Sequence, residues 1–253
     1  MVKKIEAIFV DVGNTLRILT PREEHQLNAK KRMAELVGTD EDPVLFCEKL
    51  DQRYKEYRKW AFSEMREAPE PELWTRWLAY DFPAEKIAPL GVELTYQYRQ
   101  SMGYRVMVEN GKEVVIELFN RGYTMGMISN VITSQEIPDW LEADGLTPFF
   151  ASVTLSSVLG IRKPDPRIYW EGARKAGVKP ENCVYVGDNL KRDVTGTKKA
   201  GFGMVVIMTT PEKLQEAVFT EENKPDAIIY EFKELLDVFP GYPNVAWDKV
   251  KEP

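Results

Sequence analysis

The sequence predicts an α/β fold, a parallel sheet core with helices on both faces, interrupted by an inserted all-helical block. Three observations predict it. The apolar run Ile5 to Val10 is broken at once by Asp11-Val12-Gly13-Asn14-Thr15, the pattern of a buried strand ending in a turn. From Thr20 to about Tyr104 the texture is helical, with no strand signal. From Gly111 onward strand-like and helix-like segments alternate, and regular β-α alternation implies a parallel sheet covered by helices. The first strand is expected to join that later sheet, with the helical block inserted between.

Within the block, Thr20-Pro21 reads as an N-cap with proline at the first helical position, and Gly38 as a stop. Phe46, Leu50, Tyr54, Tyr57 and Ala61 recur at helical spacing, as do Trp74, Trp77 and Leu78, while Pro69, Pro71 and Pro83 mark the breaks. In the second half, helices are expected from Lys112 to Asn120, Ile137 to Ala143, Arg167 to Ala176, Asp193 to Ala200 and Phe232 to Phe239. Strands are expected from Thr124 to Ile128, Ala151 to Leu155, Val184 to Val186, Met204 to Met208 and Ala227 to Tyr230.

The chain has 253 residues, 43% hydrophobic and 29% charged, enough for one large domain or two small ones. A net charge of -6 argues against non-specific nucleic-acid or anionic-membrane binding. Cys47 and Cys183 are too few for a disulfide framework or a structural zinc site and read as two reduced thiols. No apolar run approaches the roughly 20 residues of a membrane span, and the start Met1-Val2-Lys3-Lys4 is expected to begin no signal peptide. A cytoplasmic protein is expected. Abundant Glu and Lys beside a single histidine hint at a thermophile.

Ligands on such sheets bind outside the carboxyl ends of the strands. Three expected strand ends carry polar residues there: Asp11, Ser129 and Asp188. The segments Ile8 to Leu16 (IFVDVGNTL), Met127 to Asn130 (MISN), Gly160 to Tyr169 (GIRKPDPRIY) and Tyr185 to Gly201 (YVGDNLKRDVTGTKKAG) resemble, in order and spacing, the four motifs of the haloacid dehalogenase superfamily. The resemblance implies a Rossmann-like core, residues 1–18 and 106–253, and a helical cap, residues 19–105.

It also implies a chemistry that the residue types suit. Asp11 would attack phosphorus and form an aspartyl-phosphate, splitting a difficult hydrolysis into two easier steps. Alone, it would read as a strand-terminal aspartate capping a turn. Asp11, Asp188, Asp193 and the Gly13 carbonyl would hold Mg²⁺, because gathered carboxylates need a hard cation and oxygen ligands suit magnesium. Asp193 would bind directly or through a water, or merely cap its helix. Ser129 and the Asn130 amide would donate to the transferring oxygens. Lys163 would bind phosphate and hold Asp11 ionised, although Arg162 beside it leaves that assignment ambiguous. Thr15 and Asn14 would orient the loop and the phosphate.

One position departs from the pattern. Where phosphatases of the superfamily carry a second aspartate, two residues after the nucleophile, this chain has Gly13. Glycine cannot transfer a proton, and general acid–base catalysis is worth about 10²–10⁴-fold. Three readings stay open: a substrate with a good leaving group, an acid supplied by the cap (His25, Glu23 or Glu24), or a catalytically weak protein that binds a phosphorylated ligand. Dehalogenases also lack the second aspartate, but they usually dispense with metal, so Asp188 and Asp193 argue against that chemistry. In the cap, Trp60 faces either the substrate or its neighbours Tyr54, Tyr57, Phe62, Trp74 and Trp77, which pack helices together. The expected partner is a small phosphorylated metabolite, with no nucleic acid or membrane, and the protein itself is expected to be a monomer or small homo-oligomer.

Overall fold

Strand β1 (Ala7–Val10) lies at the centre of the main sheet because every side chain in it is apolar and buried. The structure is a computed structural model and describes residues 4–215 and 218–241. Met1 to Lys3 and most of the tail from Pro240 to Pro253 lie outside the described residues.

After β1 come β2 (Arg17–Thr20) and helices α1 (Glu23–Val37), α2 (Pro43–Glu64), α3 (Glu70–Glu72), α4 (Ala84–Ile87) and α5 (Gly91–Ser101). The chain continues through β3 (Tyr104–Met107), α6 (Gly111–Asn120), β4 (Thr124–Ser129), α7 (Glu136–Ala143), β5 (Phe150–Leu155), α8 (Ser156–Leu159) and α9 (Pro166–Ala176). It ends with β6 (Cys183–Gly187), α10 (Thr195–Lys199), β7 (Met204–Met208), α11 (Pro211–Gln215), β8 (Ala227–Ile229) and α12 (Leu235–Val238).

Six strands form one sheet in the order β5-β4-β1-β6-β7-β8, and all its pairings are parallel. The chain leaves β1 on one side for β4 and β5 and on the other for β6, β7 and β8, which opens a crevice at the carboxyl end of β1.

The period of two along β1 sends alternate residues to opposite faces. Ile8 and Val10 pack with α6 and α7 through Val114, Leu118, Ile137 and Leu141. Ala7 and Phe9 pack with α9 through Ile168, Tyr169 and Ala173. Each such fully buried aliphatic or aromatic side chain contributes about 1.5–3 kcal/mol. Phe9 leaves no room beside it: a Cβ added to Gly126 on β4 would land on its ring. Gly126→Ala is therefore expected to cost about 1–3 kcal/mol, seen as a lower urea midpoint at unchanged slope. An unmoved midpoint would show that the ring yields freely.

The helical segment between β2 and β3 has its own core, formed by Met33, Phe46, Leu50, Tyr57, Trp74, Leu94 and Tyr98, and Ile132 from the loop after β4 joins it. Asp42 caps α2 by accepting from the Val44 and Leu45 N–H groups (2.9 and 3.1 Å). Both cysteines are buried and unpaired, and burial pushes the Cys183 thiol up to about 12. No helix among the described residues is long and apolar enough to cross a membrane.

Two expectations fail at the ends of the helical segment. Thr20 does not cap a helix; it ends β2, and α1 starts at Glu23 after Arg22, with no side-chain cap. Tyr104, taken as the end of helical texture, opens β3, and the two strands pair antiparallel. The pair is short and half-exposed, with Ile18 and Leu19 facing solvent, so it lacks the alternation that marks a strand. A further difference lies before α10. The helix expected from Asp193 opens instead as a π turn over Leu190–Val194, a wide coil that recurs at functional sites.

Candidate active site

The Asp11 backbone N–H donates to the Val186 carbonyl (2.8 Å), so the ladder of β1 fixes this residue at the sheet's carboxyl edge. Val10 pairs with Met127 on one side and Val186 on the other. Continuing that register sets Ser129 and Asp188 one residue beyond the level of Asp11. Three polar strand ends thus meet because three apolar runs stop in register.

The Asp11 carboxylate is nearly buried. Its Oδ1 accepts from the Val12 N–H (2.8 Å). Its Oδ2 faces two cations, Lys163 Nζ at 2.7 Å and Arg192 Nη2 at 3.0 Å. Lys163 is wholly buried, and its Nζ also reaches Asp193 Oδ1 (3.3 Å) and the Tyr185 hydroxyl. That hydroxyl donates onward to the Ile128 carbonyl (3.0 Å). Asn130 grips the Lys163 backbone from both sides, its Oδ1 accepting from the N–H (2.8 Å) and its Nδ2 donating to the carbonyl (3.0 Å). Asp165 then caps α9 by accepting from the Arg167 N–H (2.9 Å), with Pro166 at the first helical position. The run Lys163 to Pro166 is thus pinned on both flanks.

Asp193 is fully buried inside the π turn, where Asn189 takes the capping role by accepting from the Arg192 N–H (2.8 Å). Asp193 Oδ2 accepts from the Asn189 N–H (3.0 Å). Asp188 is held by the Asn14 amide (3.1 Å). Asn14 itself adopts a left-handed backbone conformation (φ 56°), which asparagine tolerates better than most residues. Ser129 is buried at the end of β4, and Thr15 is buried with its hydroxyl unpartnered. Gly13 is exposed, and nothing lies within 4 Å of a Cβ built on it.

Arg192 was invisible in the sequence, where Lys191-Arg192 reads as a solvated pair. In the structure its Nη2 lies 3.0 Å from Asp188 Oδ1 and 2.9 Å from Asp193 Oδ2 as well as touching Asp11. Tyr185 was also missed, although a buried strand tyrosine needs a partner for its hydroxyl.

Burial dominates the titration of Asp11 and raises it, against the pull of Lys163 and Arg192. For Asp193, burial acts upward too, but Lys163 and Arg192 outweigh it and hold the carboxyl below its ordinary range. Burial lowers Arg192, but the carboxylates of Asp193 and Asp11 more than reverse this and raise it, so its charge is permanent.

Asp11, Asp188 and Asp193 offer carboxylate oxygens all within 4.8 Å of one another. A compact, all-oxygen, anionic donor set fits a hard divalent cation, and the residues fit it provided that Arg192 yields its place.

A second polar seam joins the helical segment to these loops. Arg66 and Ile161 form an antiparallel bridge. Beside it, buried Glu67 meets Tyr57, the Ser156 hydroxyl (2.8 Å) and Arg162 Nη1 (3.1 Å), while Arg162 stacks over Phe62. Lys163, not Arg162, therefore lies beside Asp11. Glu70 accepts from the Ser134 hydroxyl (2.7 Å), and Glu136 binds Arg99 (2.8 Å) and Gln100 (3.0 Å). His25 pairs with Gln100 (3.0 Å) and stands edge-on to Tyr104. With Glu23 and Glu24 it lines an open depression of about 450 Å³. Trp60 packs against Tyr57 and Trp77.

A family model described as haloacid dehalogenase-like hydrolase matches residues 51–207, more than half of the chain. The chain belongs to the haloacid dehalogenase-like hydrolases. The match takes in the Ser129, Lys163 and Asp188–Asp193 segments, with Asp11 N-terminal to it. A glyceraldehyde 3-phosphate phosphatase of Methanopyrus kandleri is 34% identical over 125 residues, 49% of this chain and 52% of that protein. The chain spans about half the length of the curated relatives it matches. Among solved structures, a 2-haloacid dehalogenase of Pseudomonas syringae superposes with a TM-score of 0.67 at 20% identity, covering 92% of this chain and 97% of its own. A phosphatase of this superfamily from Thermococcus onnurineus superposes at 0.58 and 20% identity, covering 94% and 99%. At these identities the superpositions establish the shared fold.

Proposed function

We propose that this chain is a Mg²⁺-dependent phosphatase that hydrolyses a small phosphorylated metabolite through an aspartyl-phosphate on Asp11. The observation that carries it is the convergence of Asp11 and Asp188, at the ends of adjacent strands, with Asp193 from the π turn and Lys163 from the loop before α9. The phosphatase names of the relatives support the same reading. Residues 1–18 and 106–253 form the core in this reading, residues 19–105 the cap, and the β2–β3 ribbon the hinge between them. The protein works in the cytoplasm, as a monomer or small homo-oligomer, without nucleic acid or membrane.

An Asp11 oxygen attacks phosphorus, the bond to the leaving oxygen breaks, and the phosphoryl group resides on Asp11. Water then attacks phosphorus, freeing Asp11 and inorganic phosphate. The Ser129 hydroxyl and Asn130 N–H donate to the phosphoryl oxygens, and Thr15 steadies the nucleophile loop. Lys163 supplies a fixed positive charge, which Tyr185 and Asn130 keep aimed at the nucleophile. Mg²⁺ held by Asp11, Asp188, Asp193 and the Gly13 carbonyl would neutralise phosphoryl charge and orient the group for in-line attack. Asn14, Trp60 and His25 remain proposed contacts to substrate, His25 also as a proton donor.

Hydrolysis of an aryl phosphate is expected in Mg²⁺ and is expected to fall to background when a chelator is added. Equal rates in both conditions would sink the metal-dependent reading.

A second reading, a phospholigand-binding protein with little turnover, is favoured by Gly13 alone. Its signature is ligand-dependent thermal stabilisation without phosphate release. A 2-haloacid dehalogenase would instead release halide without metal, and the retained Asp188 and Asp193 argue against it.

A further inference from the structure

We propose that Arg192 is an exchangeable counter-ion: its guanidinium neutralises the carboxylate cluster and must leave it for Mg²⁺ to enter. The inference rests on the metal reading above and deepens it. Arg192 Nη2 lies 3.0 Å from Asp11 Oδ2, 3.0 Å from Asp188 Oδ1 and 2.9 Å from Asp193 Oδ2. A single nitrogen therefore stands at the common centre of the three groups. Mg²⁺ takes oxygen ligands at about 2.0–2.1 Å, so an ion shared by those oxygens falls where Nη2 stands. A guanidinium and a divalent ion so close would also repel strongly in a poorly solvated site.

Of the two cations in the cluster, only Arg192 has an exit. Its side chain is 25% exposed, whereas that of Lys163 is 0% exposed. Lys163 is moreover tethered by Tyr185 and by the Asn130 clamp on its backbone. Charge favours the exchange. Three carboxylates face two cations, leaving one negative charge uncompensated, and replacing the guanidinium with a divalent ion balances the site. The carboxylates stay oriented afterwards, because Asp193 keeps the Asn189 N–H, Asp188 the Asn14 amide and Asp11 the Val12 N–H. The consequence is self-competition: apparent metal affinity is the intrinsic affinity multiplied by the fraction of molecules in which Arg192 has left.

The test is calorimetric titration with MgCl₂ alone, without substrate. Arg192→Asn is expected to bind Mg²⁺ about tenfold or more tightly than the unaltered protein, and Arg192→Lys to fall between them. Adding Asp188→Asn to Arg192→Asn is expected to abolish that gain; persistence of the tight binding would overturn the proposal. Equal affinity in the unaltered protein and Arg192→Asn overturns the exchange while leaving the metal reading intact. No binding in either overturns both. Where Arg192→Asn does not fold, the unaltered protein decides. The Arg192 Nε–H donates to Asp193 Oδ1 at 2.8 Å, and its NMR resonance is expected to lose that bonded shift at saturating Mg²⁺. A resonance unmoved by the ion overturns the proposal.

Discussion

Asp11→Asn is expected to reduce phosphate-ester hydrolysis by about 10⁴-fold or more, as removal of a covalent nucleophile does. The amide keeps the size and the backbone of the carboxylate. The Asp11 N–H still bonds the Val186 carbonyl, and the side-chain oxygen still accepts from the Val12 N–H. What it loses is the negative charge that makes the side-chain oxygen a nucleophile toward phosphorus. Buried Lys163 keeps Asp193 at 3.3 Å and the Tyr185 hydroxyl, so it is not left as an unpaired buried charge, the situation that destabilises most. A cooperative thermal transition should therefore survive the substitution. The assay is steady-state release of aryl alcohol in saturating Mg²⁺, paired with a circular-dichroism melt. Acid quench of the unaltered protein with substrate should trap one phosphoryl group on the peptide containing Asp11, and none in the variant. Full activity in a folded Asp11→Asn protein would remove Asp11 from the chemistry.

Asp11 could be singled out from the sequence because an apolar run that stops abruptly in a polar residue is a local signal. The same holds for Ser129 and Asp188, and parallel register then brings all three to one edge. Lys163 was legible through the prolines and the aspartate that follow it, which the structure shows pinning the start of α9. Arg192 was not legible, since its contact with Asp11 spans 181 residues and nothing in Lys191-Arg192 announces it. Nor was Asn130 as a clamp: the backbone it grips lies 33 residues on. The β2–β3 ribbon escaped for a different reason. Each strand has four residues and little burial, so its stability comes from pairing across the helical segment, not from a pattern within either strand. Glu67 is the extreme case. A buried glutamate beside Arg66 reads as surface charge, yet it bonds Tyr57 of α2, Ser156 of α8 and Arg162 of the loop before α9.

Gly13→Asp is expected to raise phosphatase turnover by about 10²–10⁴-fold, the usual contribution of a positioned general acid–base. The site accepts the change sterically. Nothing lies within 4 Å of a Cβ built at Gly13, and its φ lies outside the left-handed region that would strain an aspartate. In the native chain, Asp11 has no carboxyl neighbour two residues on to protonate the leaving oxygen or to deprotonate the hydrolytic water. In the proposed reaction both halves are thereby expected to be slow, the second more severely once the leaving group is good. With an aryl phosphate, the native protein should therefore show a burst of one aryl alcohol per chain followed by slow turnover, as the aspartyl-phosphate accumulates. Gly13→Asp should shorten the lifetime of that intermediate and abolish the burst. Comparing aryl with alkyl phosphates separates the two roles: the gain for alkyl esters should be larger, because only they need a proton on the departing oxygen. An unchanged rate with both ester types would show that the proton comes from elsewhere, and His25 in the first turn of α1 would then be the next residue to change.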